Sequence, residues 1–151
     1  MKVMVMVKSA AGDEDRVQPK PEVFEAMAAY NEELVKAGIM LDGAGLRPSS
    51  QGKKIVFQHG ETSVVDGPFT EAKEVIGGYW VWEVRSMDEA LEWARRCPHD
   101  RDSDTPQILE IRPYATAEDY GDDLPDGIRE REAAMAREIE EQHGRAPLGE
   151  A

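Results

Sequence analysis

From Lys2 to Lys8 the chain carries an unbroken run of Val and Met closed at both ends by lysine, which predicts a central strand with both faces covered. The period then changes. Between Pro21 and Ala37, Val23, Met27, Tyr30 and Leu34 fall on one stripe of a helix, with Pro in its first turn and Gly38 as its stop. Ile39 to Leu46 predicts a second strand, weakened by Asp42, Gly43 and Gly45. Glycine inside a strand marks a bulge or the close approach of another chain segment. Lys54 to Gln58 and Thr62 to Asp66 form a hairpin across His59-Gly60-Glu61. Tyr79 to Arg85 alternates Tyr79, Val81 and Glu83 with Trp80, Trp82 and Val84, and the Trp face should look into a core or an interface. Ser86-Met87-Asp88-Glu89 is a capping box that opens a second helix, with Met87, Leu91 and Ala94 inward and its end before Pro98. Gln107 to Arg112 alternates once more as a last strand.

The order strand, helix, strand, hairpin, strand, helix, strand predicts an α+β fold, a ferredoxin-like βαββαβ unit with an extra hairpin strand in a single sheet. Both helices then lie on one face. The other face is left bare, and a second copy of the sheet would cover it, so a homodimer is expected. The stretch from Ser9 to Lys20, with Gly12 and Pro19 and no hydrophobic period, is a surface loop, either a lid or a plain excursion.

The length of 151 residues allows one domain, residues 1–114, and an extension, residues 115–151. The extension holds 11 acidic residues against 4 Arg, and Asp126 to Gln142 predicts a helix whose stripe of Ile128, Met135 and Ile139 is too thin to fold alone. Docking across the dimer is the expectation; docking on its own subunit and partial disorder are the alternatives. No apolar run reaches a membrane span, and the first apolar run is too short for a signal peptide. One cysteine, Cys97, excludes an internal disulfide, and a cytoplasmic location is expected. A net charge of −13 argues against a nucleic-acid partner.

Candidate chemistry gathers around Asp66 to Arg85, where charged groups precede the aromatic strand. Asp66, beside Phe69 and the Trp strand, would make a general acid or base if desolvated; as Asp-Gly-Pro it is equally a turn residue bonded to nearby amides. Glu71 and Lys73 are candidates for the mouth of a site or members of a solvated loop. Arg47 is suited to clamping a carboxylate, or to a surface ion pair. Trp80 and Trp82 would stack a planar ligand or fill the core. His99, next to a helix end, stabilises that dipole or carries protons near Asp66. Asp100, Asp102 and Asp104 imitate the start of a calcium loop, but Thr105 stands where the turn glycine belongs and Ile111 where the bidentate Glu belongs. No metal and no cofactor is expected.

Asp66-Gly67-Pro68-Phe69 with Thr70 to Glu74, together with Tyr30-Asn31-Glu32-Glu33-Leu34, Gly45-Leu46-Arg47-Pro48-Ser49, Gly78-Tyr79-Trp80 and Arg96-Cys97-Pro98, resembles the DGPF family of YCII-related domains over residues 1–114. The resemblance implies a dimeric α/β barrel of two ferredoxin-like subunits, a pocket holding an Asp and sometimes a His, and genes placed near extracytoplasmic-function sigma factors. The expected function is binding of a small molecule by a homodimer. Asp66 and His99 would serve acid-base chemistry without a cofactor, and Arg47, Phe69, Glu71, Lys73, Trp80 and Trp82 would hold the ligand. The rival expectation is a non-catalytic sensor whose acidic tail engages a protein such as a sigma factor; the third is a dimer without a ligand.

Overall fold

A computed structural model describes residues 1–10, 20–69, 72–123, 125 and 127–143. Two compact units divide the chain, Met1–Pro113 and Tyr114–Ala151. In the first, β1 (Lys2–Ala10), α1 (Pro21–Lys36), β2 (Met40–Gly45), β3 (Lys53–Gln58), β4 (Glu61–Asp66), β5 (Glu74–Glu83), α2 (Met87–Ala94) and β6 (Ile108–Pro113) follow in order, with a 3₁₀ turn at Ser49–Gln51. Four strands form an antiparallel sheet in the order β2-β5-β1-β6. Each helix thus joins two strands that flank a third, which is the pair of split βαβ units of a ferredoxin-like fold.

Alternation decides what each face of this sheet does. Val3 and Val5 of β1 and Trp80, Trp82 and Val84 around β5 pack with Tyr30 and Leu34 of α1 and Ala90 of α2 in one buried cluster. The Trp face is therefore the helix-side core. Gly38 ends the first helix at φ 70°, a left-handed conformation that favours glycine. The capping box is half as expected: the Glu89 amide donates to Ser86 Oγ at 3.2 Å, but the Glu89 carboxylate accepts from the amide of Arg85 and pairs with the Arg85 guanidinium. The second helix turns Ala90 fully into the core, Met87 and Ala94 pack against it as expected, and Leu91 is exposed instead. A helix this short can turn a narrow stripe inward, and the small side chain lets it sit close to the sheet.

Two further expectations are corrected. The hairpin does not join the main sheet; β3 and β4 form a two-stranded sheet of their own, exposed along both strands, with Phe57 78% accessible. The strand expected from Tyr79 begins at Glu74, because β1 continues to Ala10 and pairs with it throughout, with a bulge at Val7/Lys8. Gly77 and Gly78, which look like turn punctuation, lie inside that strand. The glycines of β2 do mark irregularity and close approach: the register shifts between Met40 and Asp42, and a Cβ on Gly43 would lie 2.7 Å from the Trp80 ring.

The sheet face opposite the helices carries Met4, Met6, Tyr79, Val81, Ile76 and Ile108, by register; Met6 is buried, Met4, Tyr79 and Val81 are half-buried, and Ile76 and Ile108 are exposed. Lys8 bridges Glu74 and Glu110 across it at 3.1 and 3.0 Å, and hydrogen bonding to Glu110 and then Glu74 raises the Lys8 amine above its ordinary value. In the second unit a 3₁₀ segment, Ala117–Asp123, precedes α3 (Ile128–His143), on which Met135 and Ile139 are exposed. The Ser9 to Lys20 loop falls largely outside the described residues. No helix among the described residues is long and apolar enough to cross a membrane.

Candidate functional site

Both helices leave the sheet uncovered at one end of its helix side. There β1 finishes, α1 begins and α2 stops, while β2 and β5 bring glycine to the floor. Gly45 pairs with Gly78, and nothing lies within 4 Å of the place where a Gly45 Cβ would be. At the opposite end the same two strands bury Trp82 between Val3 and Met40. Side-chain size along β5 therefore divides a filled core from a half-open groove of about 1430 Å³. Met27 and Asn31 of α1 and Leu91 and Ala94 of α2 face it, and Arg95, Cys97, His99 and Arg101 continue along its edge.

Trp80 stands at the boundary. Its indole N–H donates to Asn31 Oδ1 at 3.0 Å and its ring meets Tyr30 edge-on at 6.4 Å, so the indole is held from two sides. Tyr30 in turn donates its hydroxyl to the Trp93 carbonyl at 2.9 Å, and burial pushes its phenol above the ordinary range. The His99 Nδ1 lies 3.2 Å from the Cys97 carbonyl. Because a carbonyl only accepts, the proton in that contact sits on Nδ1, and Nε2 of the neutral ring keeps a lone pair. Arg47 donates to the neutral amide oxygen of Gln51 at 3.2 Å.

Burial pushes the Cys97 thiol up to about 11. Unfolding above the ordinary thiol value of about 9 releases a proton that the folded chain retains, so stability should fall between about pH 9 and 11. At pH 8 the thiolate would be about a hundredfold scarcer than in the unfolded chain, and its greater nucleophilicity recovers about tenfold, so alkylation should be roughly tenfold slower. Iodoacetamide rates for folded and urea-unfolded protein check this; a folded-state rate that levels off near pH 9 would contradict it.

Of the residues expected in a site, Arg47, Trp80 and His99 line this groove together. Asp66, Phe69, Lys73 and Trp82 do not. Trp82 is 0% exposed and belongs to the core. Asp66 is not desolvated beside the Trp strand: its side chain is 74% exposed at the end of β4 and pairs with Lys53. Phe69 belongs to the hairpin base, where Lys54 Nζ lies 4.1 Å above its ring. Lys73 is exposed just before β5, and Glu71 lies outside the described residues. Asp100 and Asp102 both receive the Lys20 amine, at 3.1 and 2.9 Å; the Asp102 amide first, and then Lys20, hold the Asp100 carboxyl below its ordinary value. Asn31, Gly45, Leu91, Arg95 and Arg101 were not legible as site residues, since only the crossing of two elements brings them to one surface.

Comparison with known proteins agrees with this architecture. The YCII-related domain profile matches residues 1–115. An uncharacterised protein of Rhizobium meliloti (strain 1021) is 35% identical over 95 residues, which are 62% of this chain and 73% of that protein.

Proposed function

The chain belongs to the YCII-related domain family, and from that premise we propose that it binds a small organic molecule in the helix-side groove, as a homodimer joined over the open sheet face. The observation that carries the reading is the groove beside Trp80, where a Cβ on Gly45 would meet open space. Acid-base chemistry there falls to His99 through Nε2, with Arg47 orienting an anionic group. For Asp66 to share it, its carboxylate would have to leave Lys53 and solvent. The dimer is supported by charge: the open face offers Lys2, Lys8 and Arg112 against Asp42, Glu74, Glu83 and Glu110, nearly balanced in a chain of net charge −13. Two copies therefore meet with little net repulsion across that face, and its exposed Ile76 and Ile108 seek cover.

Gly45→Leu tests the groove. The new side chain meets open space, so melting should stay close to wild type, whereas compounds that raise the wild-type melting temperature in a screen of small organic molecules should lose their effect. Hits that stabilise both proteins equally would move the site elsewhere. Sedimentation velocity should show a species of twice 16.8 kDa that Val81→Glu splits into monomers; a monomeric wild type at micromolar concentration would end the dimer reading.

A further inference from the structure

We infer that the groove selects an organic anion, a carboxylate or sulfonate carried on a planar apolar body. The inference rests on the groove reading above and specifies its ligand. The chain has 31 acidic residues against 18 Lys and Arg, yet the groove edge reverses that balance. Arg47, Arg95 and Arg101 line it, and the carboxylate among the lining residues, Asp100, is already engaged by Lys20 and by the Asp102 amide. Lys8 also borders it, but its amine lies on the opposite sheet face, held by Glu74 and Glu110. Among the described residues Arg95 and Arg101 have no carboxylate partner, and Arg47 has the neutral Gln51 amide.

Guanidiniums that no carboxylate pairs with among the described residues, gathered in a concavity of an otherwise acidic molecule, offer a positive edge to which an anion is drawn. Each offers the paired N–H geometry that a carboxylate or sulfonate accepts in two bonds. Next to them stand Trp80 and Leu91, an apolar wall that an inorganic ion would leave unused. A neutral molecule would use the wall and leave the guanidiniums hydrated. The two features together call for one molecule with both parts.

Two dyes separate the parts: anilinonaphthalene sulfonate, and phenylnaphthylamine, which has the same rings without the sulfonate. Fluorescence titration of the full chain should give the sulfonate an affinity roughly tenfold or more above the neutral dye. Added salt should weaken it. Combining Arg47→Gln, Arg95→Gln and Arg101→Gln, all at exposed positions, should erase that advantage and leave the neutral dye unchanged. Equal affinities in the wild type, both abolished by Gly45→Leu, would overturn the anion class while keeping the groove. Affinities untouched by Gly45→Leu but lost in Phe57→Ser would place the dyes on the exposed hairpin and overturn both readings.

Discussion

Trp82→Ala should remove about 3–5 kcal/mol of stability, the range for truncating a large buried aromatic side chain. The whole stability of a domain is about 5–15 kcal/mol, so this one change consumes a large part of it. Trp82 is fully buried, with Val3 opposite it on β1 and Met40 opposite it on β2, and its ring centroid is 6.1 Å from that of Trp80. Its indole N–H has no partner among the described residues, so its contribution is packing alone. Trp82→Phe should therefore recover most of the loss. Trp80→Ala should cost less than Trp82→Ala, although it breaks the bond to Asn31, because its void opens onto the groove and fills with water. Urea titrations of the three variants check the order; a larger loss at Trp80 than at Trp82 would contradict the division between core and groove.

The second large effect is local. A Cβ on Gly67 would lie 1.7 Å from the Ser49 carbonyl oxygen, a backbone atom that cannot swing aside. Gly67→Ala must therefore part the turn after β4 from the 3₁₀ turn before β3, at a cost of about 1–3 kcal/mol by analogy with overpacked cores. Those turns close the base of the hairpin: the Gly67 amide donates to the Gly52 carbonyl at 3.0 Å, the Phe69 amide approaches Ser49 Oγ at 3.4 Å, and the peptide bond before Pro68 is cis. A two-stranded hairpin is marginal by itself, so it depends on this closure. Hydrogen exchange should accelerate in residues 53–66 of Gly67→Ala and stay slow in β1 and β5. Uniform acceleration would show that the hairpin and the four-stranded sheet unfold as one unit.

The same turn explains what could be read in the sequence. Periodicity located every strand and helix of the first unit, because Val/Met runs, the Tyr30/Leu34 stripe and the Trp alternation are local signals of the face each residue presents. The ferredoxin-like order followed from their sequence. Asp66-Gly67-Pro68-Phe69 was conspicuous for the same reason, and what the fold shows there is packing: glycine is required by the Ser49 carbonyl, and the carboxylate beside it faces solvent and Lys53. Glycines 45, 77 and 78 carried the opposite lesson. Locally they resemble punctuation, while in the fold they lie inside paired strands, where Gly45 faces open space and the bare Gly78 lets the Ala44 carbonyl come within 3.0 Å of where a Cβ would be. Arg95 and Arg101 had no local signature: Glu92, Asp100 and Asp102 lie close to them in sequence, and only the fold shows that neither guanidinium pairs with a carboxylate among the described residues. Arg47, Trp80 and His99 were legible as types, but their meeting depends on helix ends that periodicity leaves open.

The most direct measurement is a two-dimensional NMR titration of the indole N–H signals with compounds that raise the melting temperature. Trp80 lines the groove and binds Asn31 through that N–H, while Trp82, its neighbour but one on the same strand, is sealed in the core. Binding in the groove should move the Trp80 indole signal and the Asn31 side-chain amide together and leave the Trp82 indole in place. Ligands that leave Trp80 and Asn31 unmoved while shifting resonances of the hairpin or the open sheet face would contradict the groove as the binding site.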